Sequence, residues 1–562
     1  MSRSVSRLFS SLLVSPRLPF ILGLLAILLT LPSLWVGLQF DDYLLEQSVF
    51  RAPDLNSVIH DLFIFMDGDP SHAQASMDAG IYPWFSLSDG KVAFWRPLSA
   101  LTHWLDFTFW PNFPMLMHAQ NILWFAFDIL LVTLLYRELL PTPVAGLAAL
   151  LFAVNDAHGY AVGWISNRNA LMAFALGVGS LLWFHRFNQT RRSDLLFGSG
   201  VAFALSLLSA EAGTAAAGYL AAYVFFAGAS SPRKWLDLIP HAFILLAWMV
   251  FYRLGDFGGW GTSYIDPLRE TGPFLRAVLE RAPVLWLGLL AYPPAELYPF
   301  AADPLVKFVW IFAGIALTAF FFKMVFPLVR RDRNLQFLLA GAALGTLPVC
   351  SSLPANRLLF FMELGGMAVL GTWLHEAGGL SFVKRGAWFV HLGLAVILLP
   401  LTSYSPKAFG NIEDAILAAP IQPTVVIVSA PSAFHADFFG LIRERYGAES
   451  PERVWNLGAG LSPLTVYRQD ENTLIVTARD GYISGFDSVF RGRAHPMLRG
   501  ETVSLNGMQV TVHAVTRDGR PSLVEFRFTE PLQSPHYQWL VWRSGRLVEW
   551  RIPNVGESVS TP

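Results

Sequence analysis

From Leu18 to about residue 403 the chain is a succession of apolar runs, nearly free of charge, separated by short polar stretches. The first, Leu18 to Leu38, is about 20 residues long, the length that crosses a ~30 Å hydrocarbon layer as a helix. Further runs fall near 115–136, 143–155, 163–184, 195–210, 213–229, 236–252, 304–326, 335–350, 358–374 and 386–403, which predicts about eleven spanning helices. Arg3, Arg7 and Arg17 precede the first run as in a secretory leader, yet no small-residue cleavage pattern follows it. It reads as a retained first span.

The polar connections orient the bundle. Arg186, Arg191 and Arg192 share one loop, Arg233 and Lys234 a second, Arg330, Arg331 and Arg333 a third, Lys384 and Arg385 a fourth. With the N-terminus cytoplasmic, all four clusters fall on the cytoplasmic side, as basic loops do. Residues 273–292 resist this scheme, because counting them as a crossing would put Arg330–Arg333 outside. Their Pro293-Pro294 ending and the charges Arg276, Glu280 and Arg281 predict an interfacial or re-entrant helix on the outer face. The loops 40–114, 155–163, 253–303 and 351–357, and the stretch around Glu211, then share the extracytoplasmic side.

Beyond about 405 the pattern shortens to strand-type runs with turn signals between them. Thr424-Val425-Val426-Ile427-Val428 is a buried-strand run, followed by a helix-like stretch to Tyr446. Hairpin turns are expected at Asp470-Glu471-Asn472, Asn506-Gly507, Asp518-Gly519 and Ser544-Gly545. The fold class is therefore a polytopic α-helical membrane protein over 1–404, with an α/β to β-rich extracytoplasmic accessory domain over 405–562. Asn456-Leu457-Gly458-Ala459-Gly460 lacks the strand–glycine–helix setting of a nucleotide loop.

Composition sharpens this picture. Of 562 residues 54% are hydrophobic and 14% charged, against about 25% charged in soluble domains. A net charge of −1 gives no basic stripe for nucleic acid. The single cysteine, Cys350, rules out an intrachain disulfide and Cys-cluster metal sites.

Candidate chemistry gathers on the outer side. Asp41-Asp42 follows the first span directly, and sugar transfer from a phosphate-linked donor needs a carboxylate to take the acceptor's proton. It also needs cations for the departing phosphate. Arg357 opens a late span on the same side; Arg96 and Arg168 are similar, although a membrane-edge arginine can simply snorkel. Glu211 interrupts an apolar stretch, as functional membrane carboxylates do. His158, His103 and Trp95 are further candidates. Asp41, Asp42, Asp156 and His158 could hold a divalent metal, but no ligand spacing supports one.

The order of motifs resembles a family. Phe40-Asp41-Asp42-Tyr43 follows the first span, Trp95-Arg96-Pro97-Leu98 closes the long loop, and His118-Ala119-Gln120-Asn121 opens the second span. Trp164-Ile165-Ser166-Asn167-Arg168-Asn169 and Ser209-Ala210-Glu211-Ala212-Gly213 come later. Over roughly residues 18–375 this resembles GT-C membrane glycosyltransferases, particularly the protein O-mannosyltransferase-like enzymes, including those with tetratricopeptide repeats, and their bacterial relatives. The resemblance implies a polyprenyl-phosphate monosaccharide donor, often of mannose, and transfer with inversion to a protein, glycan or lipid hydroxyl. It also implies Asp41 as base with Asp42 as partner, Arg357 on the donor phosphate, and a bacterial inner-membrane setting. The sequence departs from the family at Asn155-Asp156-Ala157-His158-Gly159-Tyr160, where a final acid is missing, at Ala210, where a lysine is expected, and in its β-rich tail. The alternative is a non-catalytic transporter or cell-envelope scaffold displaying the tail; a transporter should place polar groups near the midplane in repeated halves.

Overall fold

The computed structural model describes residues 10–228, 232–301, 303–376, 381–410, 412–460 and 462–561. Arg3 and Arg7, and the last residue of the run 213–229, lie outside the described residues. The chain is a helical membrane protein with a strand-rich C-terminal region. Five described helical segments are long and apolar enough to cross a membrane: Leu18–Trp35, Ile165–Thr190, Lys234–Leu254, Pro304–Val329 and Phe382–Lys407. The helices Pro114–Leu139, Thr142–Ala153, Ser193–Ser209, Thr214–Ala222, Arg333–Val349 and Phe360–His375 occupy the other apolar runs. All of these but Pro114–Leu139 are shorter than 18 residues, so the expected number of about eleven spans rests on the sequence pattern.

Burial separates two kinds of helix. Phe360–His375 is buried almost throughout, whereas Pro304–Val329 buries only Gly314, Phe321 and Val325 and turns most of its apolar surface outward. In a water-soluble protein such an exposed apolar surface would be a liability; facing lipid it is the stable arrangement.

Midway along the Thr271–Leu290 helix the Arg281 guanidinium donates to the carbonyls of Cys350 (2.9 Å) and Ser352 (2.8 Å). At its last residue the Leu290 carbonyl meets the His391 ring at 3.1 Å, within the Phe382–Lys407 segment. Just past the helix the Tyr292 hydroxyl donates to Asp156 (2.8 Å) and the Ala295 amide to Asn356 (3.0 Å). Arg281 in mid-helix and Ala295 just beyond the helix end therefore both reach the stretch 350–356.

The loop after the first span folds into short elements. Helices Asp41–Arg51, Leu55–Asp61, Pro70–Ala79 and Pro97–Phe109 are joined by strands β1 (Ile64–Asp67) and β2 (Lys91–Ala93). Asp54 and Asp69 cap two of the helices by accepting from Ser57 (2.8 Å) and Ser71 (2.7 Å) amides. A third strand, β3 (Gly258–Trp260), pairs antiparallel with β2 and ties this loop to the one after Leu254.

The C-terminal region holds two sheets. Strands β4 (Thr424–Ile427) and β5 (Arg453–Asn456) are parallel, and β11 (Tyr537–Arg543) and β12 (Arg546–Glu549) complete a sheet of order β12-β11-β4-β5. Strands β6 (Leu464–Arg468), β7 (Thr473–Ala478), β8 (Thr502–Leu505), β9 (Met508–Val515), β10 (Pro521–Phe528) and β13 (Ser558–Ser560) form a second sheet, β13-β6-β7-β10-β9-β8, antiparallel throughout. All four expected hairpin turns join consecutive strands. Ser544 and Gly545 both take positive φ (49° and 79°), as a two-residue hairpin whose twist matches its strands requires.

This region shares its hydrophobic core with the first outer loop. Trp84 packs edge-on against Tyr482 (5.3 Å between ring centroids) and Phe526 (5.6 Å), and one cluster of buried side chains runs from Leu38 to Leu547. Arg491 donates to the Phe85 carbonyl at 2.8 Å, and the Asn506 amide to Asp78 at 2.7 Å.

Candidate active site

A cavity of about 560 Å³ opens where the loop after the first apolar segment, the loop after Leu254 and the ends of several helices converge. One pole is polar, with Asp41, Arg96, Glu211 and Arg357 on its wall; Trp248, Met249, Phe274, Leu347 and Phe361 line an apolar remainder. That size and division suit a ligand with a charged head and a greasy body.

The two adjacent aspartates have different jobs. Asp42 is buried and accepts hydrogen bonds from the amides of Gln39 (2.8 Å) and Ser166 (2.8 Å) and from the Ser166 hydroxyl. It therefore locks the end of the first span to the Ile165–Asn167 turn. Burial pushes its carboxyl up to about 7, against the pull of those bonds. Asp41 is half-buried, faces the cavity and accepts no hydrogen bond among the described residues. Burial pushes Asp41 up to about 6, with Arg357 and Arg96 pulling the other way. A carboxylate poised there is ionised at neutral pH and basic enough to take a proton.

The backbone presenting Asp41 is strained. Phe40 has φ +47°, a conformation that costs a non-glycine residue about 1–3 kcal/mol. Its ring is held edge-on by Trp164 at 6.1 Å and by Phe438 of the C-terminal region at 6.3 Å. The helix beginning at Asp41 is gripped further along from the same region. Tyr43 donates to Glu413 at 2.9 Å, Glu46 pairs with Arg445, and Arg51 meets Glu444 at 3.1 Å.

The four arginine and glutamate candidates separate by partner. Arg357 donates to Asn167 Oδ1 at 3.0 Å and lies 5.0 Å over the Trp164 ring, with no carboxylate in ion-pair contact among the described residues. Its charge lines the cavity and acts from a distance on Asp41 and Glu296, pulling both carboxyls down. Arg96 meets Glu211 through Nε (2.8 Å) and Nη2 (2.7 Å), stacks over Phe94 at 4.2 Å, and Tyr252 donates to the other Glu211 oxygen at 3.2 Å. Both Arg96 and Glu211 line the cavity, as a neutralised pair.

Arg168, Trp95 and His158 lie elsewhere. The Arg168 side chain is fully buried, paired with Asp106 at 2.5 Å and donating to Asn121 (2.8 Å) and the Met117 carbonyl (3.0 Å). It fastens three helices together and does not reach the cavity wall, because its fork is filled by protein. Trp95 stacks on Phe257 (6.3 Å, 24° between planes) beside the cavity wall without forming part of it. His158 is buried among Phe125, Phe152 and Phe360 with Glu363 at 2.6 Å. Asp156 accepts from Tyr292 instead of converging with His158, and among the described residues no group of three or more His, Cys, Asp or Glu is gathered to hold a metal ion.

Two features escaped sequence reasoning. Tyr252, Arg253, Tyr264 and Asp266 also line the cavity, with Arg253 donating to Asp266 at 2.7 Å. Their signal was present, since Tyr252-Arg253 ends an apolar run as the other membrane-edge arginines do. Asn167 and Trp164, quoted only as part of a motif, hold Arg357 in place.

No protein-family model matches this chain, and no curated protein matches it. Among solved structures it is similar to ArnT from Cupriavidus metallidurans in the crystal structure bound to undecaprenyl phosphate, with a TM-score of 0.38 and 10% sequence identity over 80% of this chain and 93% of that one. At that overlap the likeness assigns neither a family nor an activity.

Proposed function

We propose that this protein is a membrane glycosyltransferase of the GT-C type that moves a monosaccharide from a polyprenyl-phosphate carrier to an acceptor hydroxyl at the outer face of a bacterial inner membrane. The observation that carries the reading is the pairing, on one cavity wall above an apolar chamber, of Asp41, which accepts no hydrogen bond from the described residues, with Arg357, which has none of their carboxylates in ion-pair contact. In this reading Asp41 removes the acceptor proton as the acceptor oxygen attacks the sugar C1. The bond from C1 to the phosphate oxygen breaks, inverting that centre, and the lipid phosphate leaves onto Arg357. The cation sits in place before charge develops, so little reorganisation opposes the step. Asp42 acts through Asp41 by fixing the Gln39–Asp42 turn to Ser166. The Arg96–Glu211 pair shapes the sugar end of the cavity. The C-terminal region, with the first loop, forms the extracytoplasmic head, and the N-terminus is cytoplasmic.

The test is transfer by purified protein from a panel of radiolabelled polyprenyl-phosphate sugars, in membranes that supply acceptors. Incorporation by the wild type, abolished in Asp41→Asn at equal expression, supports the reading and names the donor. Full activity in Asp41→Asn would end the base assignment.

A further inference from the structure

A second cavity, of about 280 Å³, lies between the Thr271–Leu290 helix, the first turn of the Pro304–Val329 helix and the C-terminal region. Its wall carries five cations, Arg276, Arg281, Lys307, Arg493 and Arg520, against two carboxylates, Glu270 and Glu280. Glu280 is already engaged, accepting from the Tyr298 hydroxyl at 2.7 Å and meeting Arg493 at 3.3 Å. Glu270 sits near His495 at 3.9 Å. Arg520 has its own partner in Asp518 at 2.8 Å.

Positive charge remains over. Arg276 and Lys307 have no carboxylate in ion-pair contact among the described residues, and Lys307 has only the Tyr298 ring, at 5.9 Å. Arg281 spends its donors on backbone carbonyls, which are neutral. Like charges turned into one concave space repel unless an anion joins them, and guanidinium forks match phosphate oxygens in shape as well as charge. Lys307 opens a membrane-crossing helix, so the surplus sits near the depth of lipid head groups.

The two cavities share a wall. Tyr264 and Ser352 face the first, Ser263 and Leu353 the second, and Ile265 borders both. Arg281 staples this wall by donating to Ser263 (3.3 Å), Cys350 and Ser352.

We propose that the second cavity is a phosphoryl-anion site that seats the phosphate-bearing head of the acceptor beside the catalytic cavity. The word acceptor rests on the transferase reading; the anion site stands on the charges alone. Binding and catalysis are therefore read separately.

The experiment uses full-length protein in nanodiscs. Nanodiscs of phosphatidylcholine with or without phosphatidic acid, and with inorganic pyrophosphate added, supply the probes, and thermal stabilisation and displacement of pyrophosphate are the readouts. Wild type and Asp41→Asn should be stabilised alike by the phosphoryl probe, while Arg276→Gln, an exposed position whose loss leaves the fold intact, should weaken the response at least tenfold. Arg276→Lys should retain most of it. Stabilisation by phosphatidic acid alone identifies a lipid head group, and stabilisation by pyrophosphate alone a soluble phosphorylated group; either supports the site. Equal responses in wild type and Arg276→Gln, or no response to either probe, would overturn it. Loss of transfer in Asp41→Asn with binding kept separates failure of the site from failure of the transferase reading.

Discussion

Replacing Asp41 by Asn should stop transfer and make the folded protein more stable at neutral pH. Asp41 is pushed from 3.8 to about 6 by burial, and no hydrogen bond from a described residue rewards its charge. The unfolded chain releases this proton near 3.8 and the folded chain near 6. The contribution to stability is thus fully present below pH 3.8 and is lost as pH rises through 6. Above that, holding Asp41 charged costs about 3 kcal/mol, two pKa units at ~1.4 kcal/mol each. Asparagine carries no charge and forfeits no bond that Asp41 makes, so Asp41→Asn should gain about 3 kcal/mol at pH 7.5 and about half that at pH 5. Unfolding by SDS titration in mixed micelles, followed by tryptophan fluorescence, measures both values. A neutral or destabilising Asn, or a gain that does not shrink from pH 7.5 to pH 5, would refute the idea that this carboxylate is held at a cost.

Other consequences are open to the same preparations. Transfer should rise about tenfold per pH unit below 6 and level off above, as Asp41 loses its proton; a profile flat from pH 5 to 7 would remove it as the base. Arg357→Gln should lower kcat by roughly 10²–10³-fold, the usual effect of removing one stabiliser of developing charge, measured as single-turnover transfer. Arg168→Gln should strand the buried Asp106 and cost about 3–5 kcal/mol, seen as lost yield and lower Tm, with unchanged KM in the protein that survives. Phe438→Leu removes the ring that holds Phe40 at a cost in stability of about 1 kcal/mol, and should lower kcat severalfold at constant KM; a wild-type kcat would show that the ring only fills space.

Features that local chemistry dictates were readable in the sequence. Ser544-Gly545 makes its hairpin because a two-residue turn needs positive φ at both positions, and the apolar runs become helices because lipid leaves backbone groups no other partners. The equivalence of Arg168 and Arg357 in the sequence misleads for a physical reason. Both are arginines at the end of an apolar run, and only the packing of Asp106 and Asn121 around the first decides that one is a strut and the other faces a cavity. Arg96 illustrates a third case, correctly placed in the cavity but neutralised by Glu211, which sits in a separate motif. The common core of the first loop and the C-terminal region was invisible for a similar reason. Trp84 and Phe526 are both buried aromatics in any reading, and nothing local to either says that they meet.

That shared core changes what the C-terminal region is for. A detachable accessory module would touch the membrane part through a small polar seam, yet Trp84, Tyr482 and Phe526 pack in one interior. The strain at Phe40 lies where this interior meets the site. A residue persists in such a conformation only when its surroundings over-determine it. Here the restraint comes from Trp164, which also carries Arg357 on its face, and from Phe438 on the far side. One indole thus touches both the residue that aims Asp41 and the cation opposite it. Loosening the C-terminal region should therefore reach Phe40 first and then the carboxylate beside it, which the kcat of Phe438→Leu reads.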